Sequence, residues 1–269
     1  LEGKPFAHLT LETDMFDVQM TPNLLGIKIS GAYDDLDQLY DSVWDLCLTD
    51  DDYESGRKAT VDELIMCNRL LALCYDLRHA YQGSRNIEVV PGDVSQEAAE
   101  WQGIEIPDKR VVLSVEVLYP EAMYELLVLD YLITRRHRQE KCDVDHEKSV
   151  SMVRLYLAKL LDAVGKVASK GRFSRIRKIV SLGVWNLPAM YTQWVDILDC
   201  DYGMMSKKQR SEALSTIVRD LAEYSLHDDY RRMKRDVDQW VQKQDHPFPV
   251  SRDDVRLNLQ WPSEEDVPW

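Results

Sequence analysis

The sequence has no apolar run long enough to cross a bilayer. Its most apolar stretch, Tyr124–Ile133, is short and broken by Asp130, so a membrane protein is not expected. It has no CxxC pair. Its five cysteines, Cys47, Cys67, Cys74, Cys142 and Cys200, are odd in number and widely spaced. That pattern speaks against a secreted disulfide framework and for reduced thiols in a cytoplasmic protein. Leu1–Asp14 lacks a basic start followed by an apolar core, so it is not a signal peptide. With Met15 next, residues 1–14 read as a leader or an expression remnant. There is no P-loop, GxGxxG, HExxH or GxSxG, which removes the commonest nucleotide, zinc-protease and hydrolase signatures. Internal repeats, long heptads and low-complexity tracts are missing too.

What is present is a globular composition. Of 269 residues, 45% are hydrophobic and 30% charged, enough for a real core and too apolar for disorder. Lys and Arg number 33 against 47 Asp and Glu, a formal net charge of −14. Such a surface stays soluble and repels nucleic acid and anionic lipid at long range, without forbidding a local basic patch.

The pattern along the chain predicts an α+β fold. Phe16–Met20 and Gly26–Gly31 read as a hairpin around Thr21-Pro22-Asn23. A helix follows, capped by Asp34 or Asp35, with Leu36, Leu39, Tyr40, Val43 and Leu46 on one face. Thr49–Ala59 reads as a loop. Thr60 and Glu63 form a capping box for a helix that Gly83 ends in a left-handed conformation. Asn86–Val90 and Arg110–Leu118 are strands, with a short helix expected over Ser95–Trp101. Pro120 opens a helix to about His137, and only helices follow: Met152–Ala168, one around Ile176, Pro188–Ile197, one capped by Ser206, and one around Met233. The expected architecture is a small, mostly antiparallel sheet in the N-terminal half, packed with helices, and an all-helical C-terminal half. Residues 15–244 read as one domain and 245–269 as a Pro-rich charged tail.

Several constellations carry potential chemistry. Arg78, His79 and Tyr81 stand at a helix end, where Arg78 can bind an anion and His79 can move protons. The same residue types also offset the helix dipole. Glu116 is a charge inside an apolar strand. Buried, it would be a general base; on a wet sheet face it is ordinary alternation. Lys166, Lys170, Arg172, Arg175, Arg177 and Lys178 form a basic run, and no acidic residue occurs from Ala163 to Val195. Lys170, Arg172, Arg175 and Lys178 are the candidate anion contacts, for phosphate or nucleic acid, against the alternative of a solvated face. His137, Cys142 and His146 have no standard zinc spacing. Asp51, Ser55, Gly56 and Asp62 imitate a calcium loop but fail at Tyr53 and at Asp62. No metal and no cofactor are expected.

Thr21–Ile27, Ile29–Leu36, Arg78–Gly83 and Tyr119–Ala122 resemble segments of an uncharacterised family of small bacterial proteins, a domain of unknown function. The resemblance spans roughly residues 15–135. It implies a bacterial, cytoplasmic protein and carries over no activity. The reading favoured at this level is a non-catalytic binding or interaction protein, with a protein partner or a second copy as its partner. The alternatives are a phosphate- or nucleic-acid-binding protein using residues 166–178, and an enzyme with a cleft around Arg78, His79 and Glu116.

Overall fold

The computed structural model describes residues 15–48, 59–92, 100, 101, 103, 109–140, 144–183, 186–243, 252–261 and 269. The Leu1–Asp14 segment, the calcium-like residues Asp51, Ser55 and Gly56, most of Ser95–Trp101, Cys142 and much of the tail lie outside the described residues.

Four strands form one antiparallel sheet in the order β1-β2-β4-β3: β1 (Phe16–Met20), β2 (Gly26–Gly31), β3 (Asn86–Pro91) and β4 (Lys109–Leu118). The β1–β2 hairpin closes where Thr21 N–H donates to Gly26 O and Leu24 N–H to Thr21 O, with Leu24 at φ 56°. Gly26 lies against β4 so closely that a Cβ there would sit 1.9 Å from Val117 O, so only glycine lets these strands pair. Period-two alternation sorts the side chains. Val18, Ile27, Ile29, Leu113, Val115 and Val117 go into the core, while Lys28, Ser30, Ser114 and Glu116 take the other face.

Eight α-helices occur among the described residues, and they dominate the C-terminal half, so the fold is α+β. They are α1 (Tyr33–Leu46), α2 (Val61–Tyr81), α3 (Tyr119–Glu140), α4 (Lys148–Val167), α5 (Lys170–Leu182), α6 (Gln193–Gly203), α7 (Lys207–Ala222) and α8 (Asp228–Lys243). Helix α1 is capped from inside its first turn, where the Asp35 carboxylate accepts from Ala32 N–H. At α2 the Thr60–Glu63 capping box forms, and Gly83 ends the helix at φ +77°. The helix expected over Pro188–Ile197 is displaced. Pro188 sits in a 3-10 turn, Leu187–Ala189, and α6 starts afresh at Gln193 and runs to Gly203. The turn's last hydrogen bond, Met190 N–H to Leu187 O, closes it before an α-helix can grow.

Polar ties join the front to the back. Buried Arg210 on α7 donates to Tyr202 O and Gly203 O at the end of α6 and to Asn23 O in the hairpin turn. It thus satisfies carbonyls that a helix end leaves free. Tyr202 Oη donates to Leu24 O at 2.7 Å, and Tyr119 Oη to Leu214 O at 2.9 Å. Residues 252–261 also pack on the body: Val255 is buried, and Gln193 Nε2 donates to Arg252 O and Val255 O.

Candidate functional site

Most of the molecule's concentrated chemistry lies where β4 runs into α3, beside α2 and α6. Because α3 begins at the residue after β4, Glu121 stands in its first turn, near the end of the strand. Helical spacing then puts Glu125 one turn further in. On α6, Asp196 and Asp199 are three residues apart and so share a face. Arg69 of α2 reaches between these two helices.

Arg69 is the hub. Its Nε donates to Glu121 Oε1 and Oε2 at 3.2 and 3.1 Å, and its Nη1 to Thr192 O at 3.0 Å and Asp196 Oδ1 at 2.7 Å. Its Nη2 reaches Asp199 Oδ2 at 3.4 Å. One guanidinium therefore faces three carboxylates. A planar fork can serve several oxygens, but it supplies one positive charge. The surplus shows on Asp199, which is 3% exposed. Burial, and then the neighbouring charge of Glu121, push its carboxyl well above the usual carboxylate range, with Arg69 opposing them. Glu125 is also raised well above its ordinary value, by burial and by Glu121, although Tyr156 Oη donates to it at 2.8 Å.

A cavity of about 520 Å3 opens beside this hub. Its wall includes Asp76, Arg85, Ser114, Glu116, Glu121, Asp199 and Trp269. Arg85 is already paired with Asp76 at 2.6 Å. A smaller recess of about 320 Å3, lined by Asn68, Arg69, Thr192 and Arg256, shares Ala72 and Glu121 with it. Volumes of this size suit small-molecule ligands. Two buried side-chain polar atoms among the described residues have no protein hydrogen-bond partner, Ser114 Oγ and Asp199 Oδ1. Both residues line this one cavity. Buried polar atoms are normally satisfied, so these two mark the place among the described residues where polar pairing is incomplete. No three His, Cys, Asp or Glu side chains among the described residues gather to hold a metal ion.

The sequence-predicted site residues fall in three places. Glu116 is half-buried in the cavity wall, opposite Lys28 in the β2–β4 register. Arg78 and His79 are not part of that wall; they flank Tyr75, with Arg78 Cζ 5.6 Å from its ring centroid and the His79 ring 4.2 Å away. Tyr81 packs edge-on against Tyr33 and Tyr40. Lys170, Arg172, Arg175 and Lys178 project from α5, far along the chain, and Arg175 Nη1 donates to Ser215 Oγ at 3.2 Å. His137 pairs with Asp145 at 3.0 Å.

Sequence reasoning missed Arg69, Asp76, Glu121, Asp196 and Asp199. A signal did exist. Glu121 and Glu125 interrupt the apolar run that opens α3, and Asp196 and Asp199 interrupt Trp194–Cys200 on α6. Carboxylates on the apolar side of a helix must find partners or ligands.

Residues 16–269 match the family described as a domain of unknown function, DUF6904. The chain belongs to that family. The match runs through the helical half as well, well past the front segments on which the resemblance to an uncharacterised family rested. No curated protein and no solved structure matches the chain. DUF6904 membership therefore brings no activity with it, and function has to be argued from the cavity.

Proposed function

We propose that this DUF6904 chain is a binding protein, without catalytic chemistry of its own, whose cavity takes a small organic cation such as an amine or a guanidinium compound. One observation carries the reading: a cavity is lined by four carboxylate residues and one already paired arginine, and two of its lining residues, Ser114 and Asp199, hold buried polar atoms without a partner. A cation would supply Asp199 with the positive charge that Arg69 shares among three partners. Its N–H groups would donate to the carboxylates of the residues that line the cavity. Among the described residues no three His, Cys, Asp or Glu side chains converge as metal ligands, which favours an ammonium or guanidinium over a metal ion at this cavity. We read the protein as bacterial, on the resemblance of its front segments to an uncharacterised bacterial family, and as cytoplasmic, on its four buried free cysteines and the lack of a CxxC pair.

Calorimetric titration of the full chain with agmatine, putrescine and guanidinium tests this, with malonate and glycerol as controls. Binding of at least one cation and neither control is expected. Because a bound cation favours ionised Asp199, binding should release a proton, and affinity should rise with pH through the raised range of that carboxyl. No binding by any of the three cations at about 1 mM would overturn the proposal.

A further inference from the structure

A second feature, independent of the cavity, concerns two helix surfaces of opposite sign. Helix α5 has the sequence KGRFSRIRKIVSL, with five cations and no acid. Ile176 is fully buried and Ile179 and Val180 are partly buried against the core, while Leu182 at the helix end is exposed. Lys170, Arg175, Arg177 and Lys178 are exposed, interleaved with the small residues Gly171, Ser174 and Ser181. None of the five cations pairs with a carboxylate among the described residues. That is unusual in a chain with 47 acidic residues, where a merely solvating face would find intramolecular partners.

Helix α1 is its counterpart. YDDLDQLYDSVWDL carries five aspartates and no cation. Leu36, Leu39, Val43 and Leu46 point into the core. Asp35 is used as a cap and Asp45 pairs with Arg136. Asp34, Asp37 and Asp41 have no cation partner among the described residues. Two large aromatics stand in the same outward arc, Tyr33 at 52% and Trp44 at 47% exposure. Carboxylates between exposed aromatic rings are what a row of guanidinium groups recognises, by charge-assisted hydrogen bonds and by stacking on ring faces. The helices match in length, 14 and 13 residues, or about 20 Å each.

We propose that α5 of one copy docks on α1 of a second copy, joining the chains head to tail. The occupant is argued from charge complementarity. Among the described residues, α5 of each chain carries five cations without a carboxylate partner, and α1 carries three aspartates, Asp34, Asp37 and Asp41, without a cation partner. Nucleic acid is the competing occupant; the net charge of −14 opposes its approach and that of a second copy alike, so the second copy is favoured by the local match of α5 with the unpaired aspartates and exposed rings of α1. Because donor and acceptor faces differ, the contact is heterologous and each copy keeps a free end, so assembly grows with concentration. A contact of one helix on another is small, hence weak and screened by salt.

Sedimentation of the full chain decides it. At low ionic strength the average mass should rise with protein concentration, and at about 0.5 M salt the chain should be monomeric. The Arg175→Glu, Arg177→Glu, Lys178→Glu variant should be monomeric at all concentrations, and so should Asp34→Asn, Asp37→Asn, Asp41→Asn. Mixed together, the two variants retain one good α5 and one good α1 between them, so the mixture should form dimers that grow no further. Misfolded variants would not do this. A wild-type chain monomeric throughout, association that survives the α5 reversal, or a mixture without dimers would each overturn the proposal. So would salt-sensitive binding of a nucleic-acid duplex through α5 without self-association.

Discussion

Two buried acid–arginine clusters stand on the same pair of helices, and they differ in a telling way. At the start of α2, Glu63 is met by Arg135 Nε at 2.8 Å, by Tyr131 Oη at 2.7 Å and by Thr60 N–H at 2.8 Å. Burial alone would raise its pKa, but these three partners outweigh it and hold the carboxyl below its ordinary value. One charge meets one counter-charge, and the acceptor sites are filled. Two turns further along α2, Arg69 meets three carboxylates, Asp199 is raised instead of lowered, and one of its oxygens is left without a partner. The first cluster is complete and ties α2 to α3. The second is over-supplied with acid and opens on a cavity. The same residue types thus make a structural brace in one place and a candidate binding site in the other. The difference is the ratio of carboxylates to guanidiniums.

Removing each hub breaks the comparison hardest. Arg69→Met should cost about 3–5 kcal/mol in urea unfolding, because Glu121, Asp196 and Asp199 lose a shared counter-charge in a buried place. Glu63→Gln should cost less, about 1–2 kcal/mol, since an amide keeps part of the hydrogen bonding to Thr60 and Tyr131. Its cost should also vanish in acid. Glu63 has a lowered folded pKa, so its stabilisation is present above the ordinary value and is lost as pH falls through the folded one.

Asp199→Asn sharpens the contrast. It removes one carboxylate from the over-supplied cluster, so thermal unfolding should move by no more than about 1 kcal/mol in either direction. Affinity for the amine probe, measured by calorimetry, should nevertheless fall at least about tenfold, through loss of a charge-assisted contact. A large loss of stability would class this cluster with the Glu63 brace.

Glu125→Gln carries the smallest expected effect and the opposite pH sign. The folded pKa of Glu125 is raised, so the folded state holds a proton that the unfolded chain releases above the ordinary value of 4.5. Stability from this group is therefore full in acid and declines as pH rises toward the folded value. The Gln variant should match wild type near pH 4 and exceed it slightly in alkali, which paired melting curves would read. Equal curves at every pH would show that Glu125 ionises freely.

Local rules made much of the fold legible in the sequence. The Thr60 and Ser206 caps, the Gly83 stop, the alternation in Arg110–Leu118 and the 3.6-residue spacing of Val153, Tyr156, Leu160 and Val164 all depend on neighbours within a few residues. Where a local signal could be read two ways it failed, as at Pro188, which suits the start of an α-helix and of a 3-10 turn alike. The candidate site was far less legible. Glu116 stood out because an acid breaks a strand pattern, and it does line the cavity. Arg78 and His79 stood out by density, and they pack on Tyr75 elsewhere.

By itself, then, the sequence determined the class of elements, the acidic balance, the basic run on α5 and the acidic run on α1, since composition and periodicity are properties of the chain read in order. Tertiary structure decided which charges meet. Arg69 lies 52 residues from Glu121 and 130 from Asp199, and Ser114 and Asp199 face one cavity from a strand and a helix 85 positions apart. No local pattern encodes those separations. They arise because packing α2, α3 and α6 around the end of β4 buries whatever polar groups those elements carry, and low dielectric then makes each unmatched charge count.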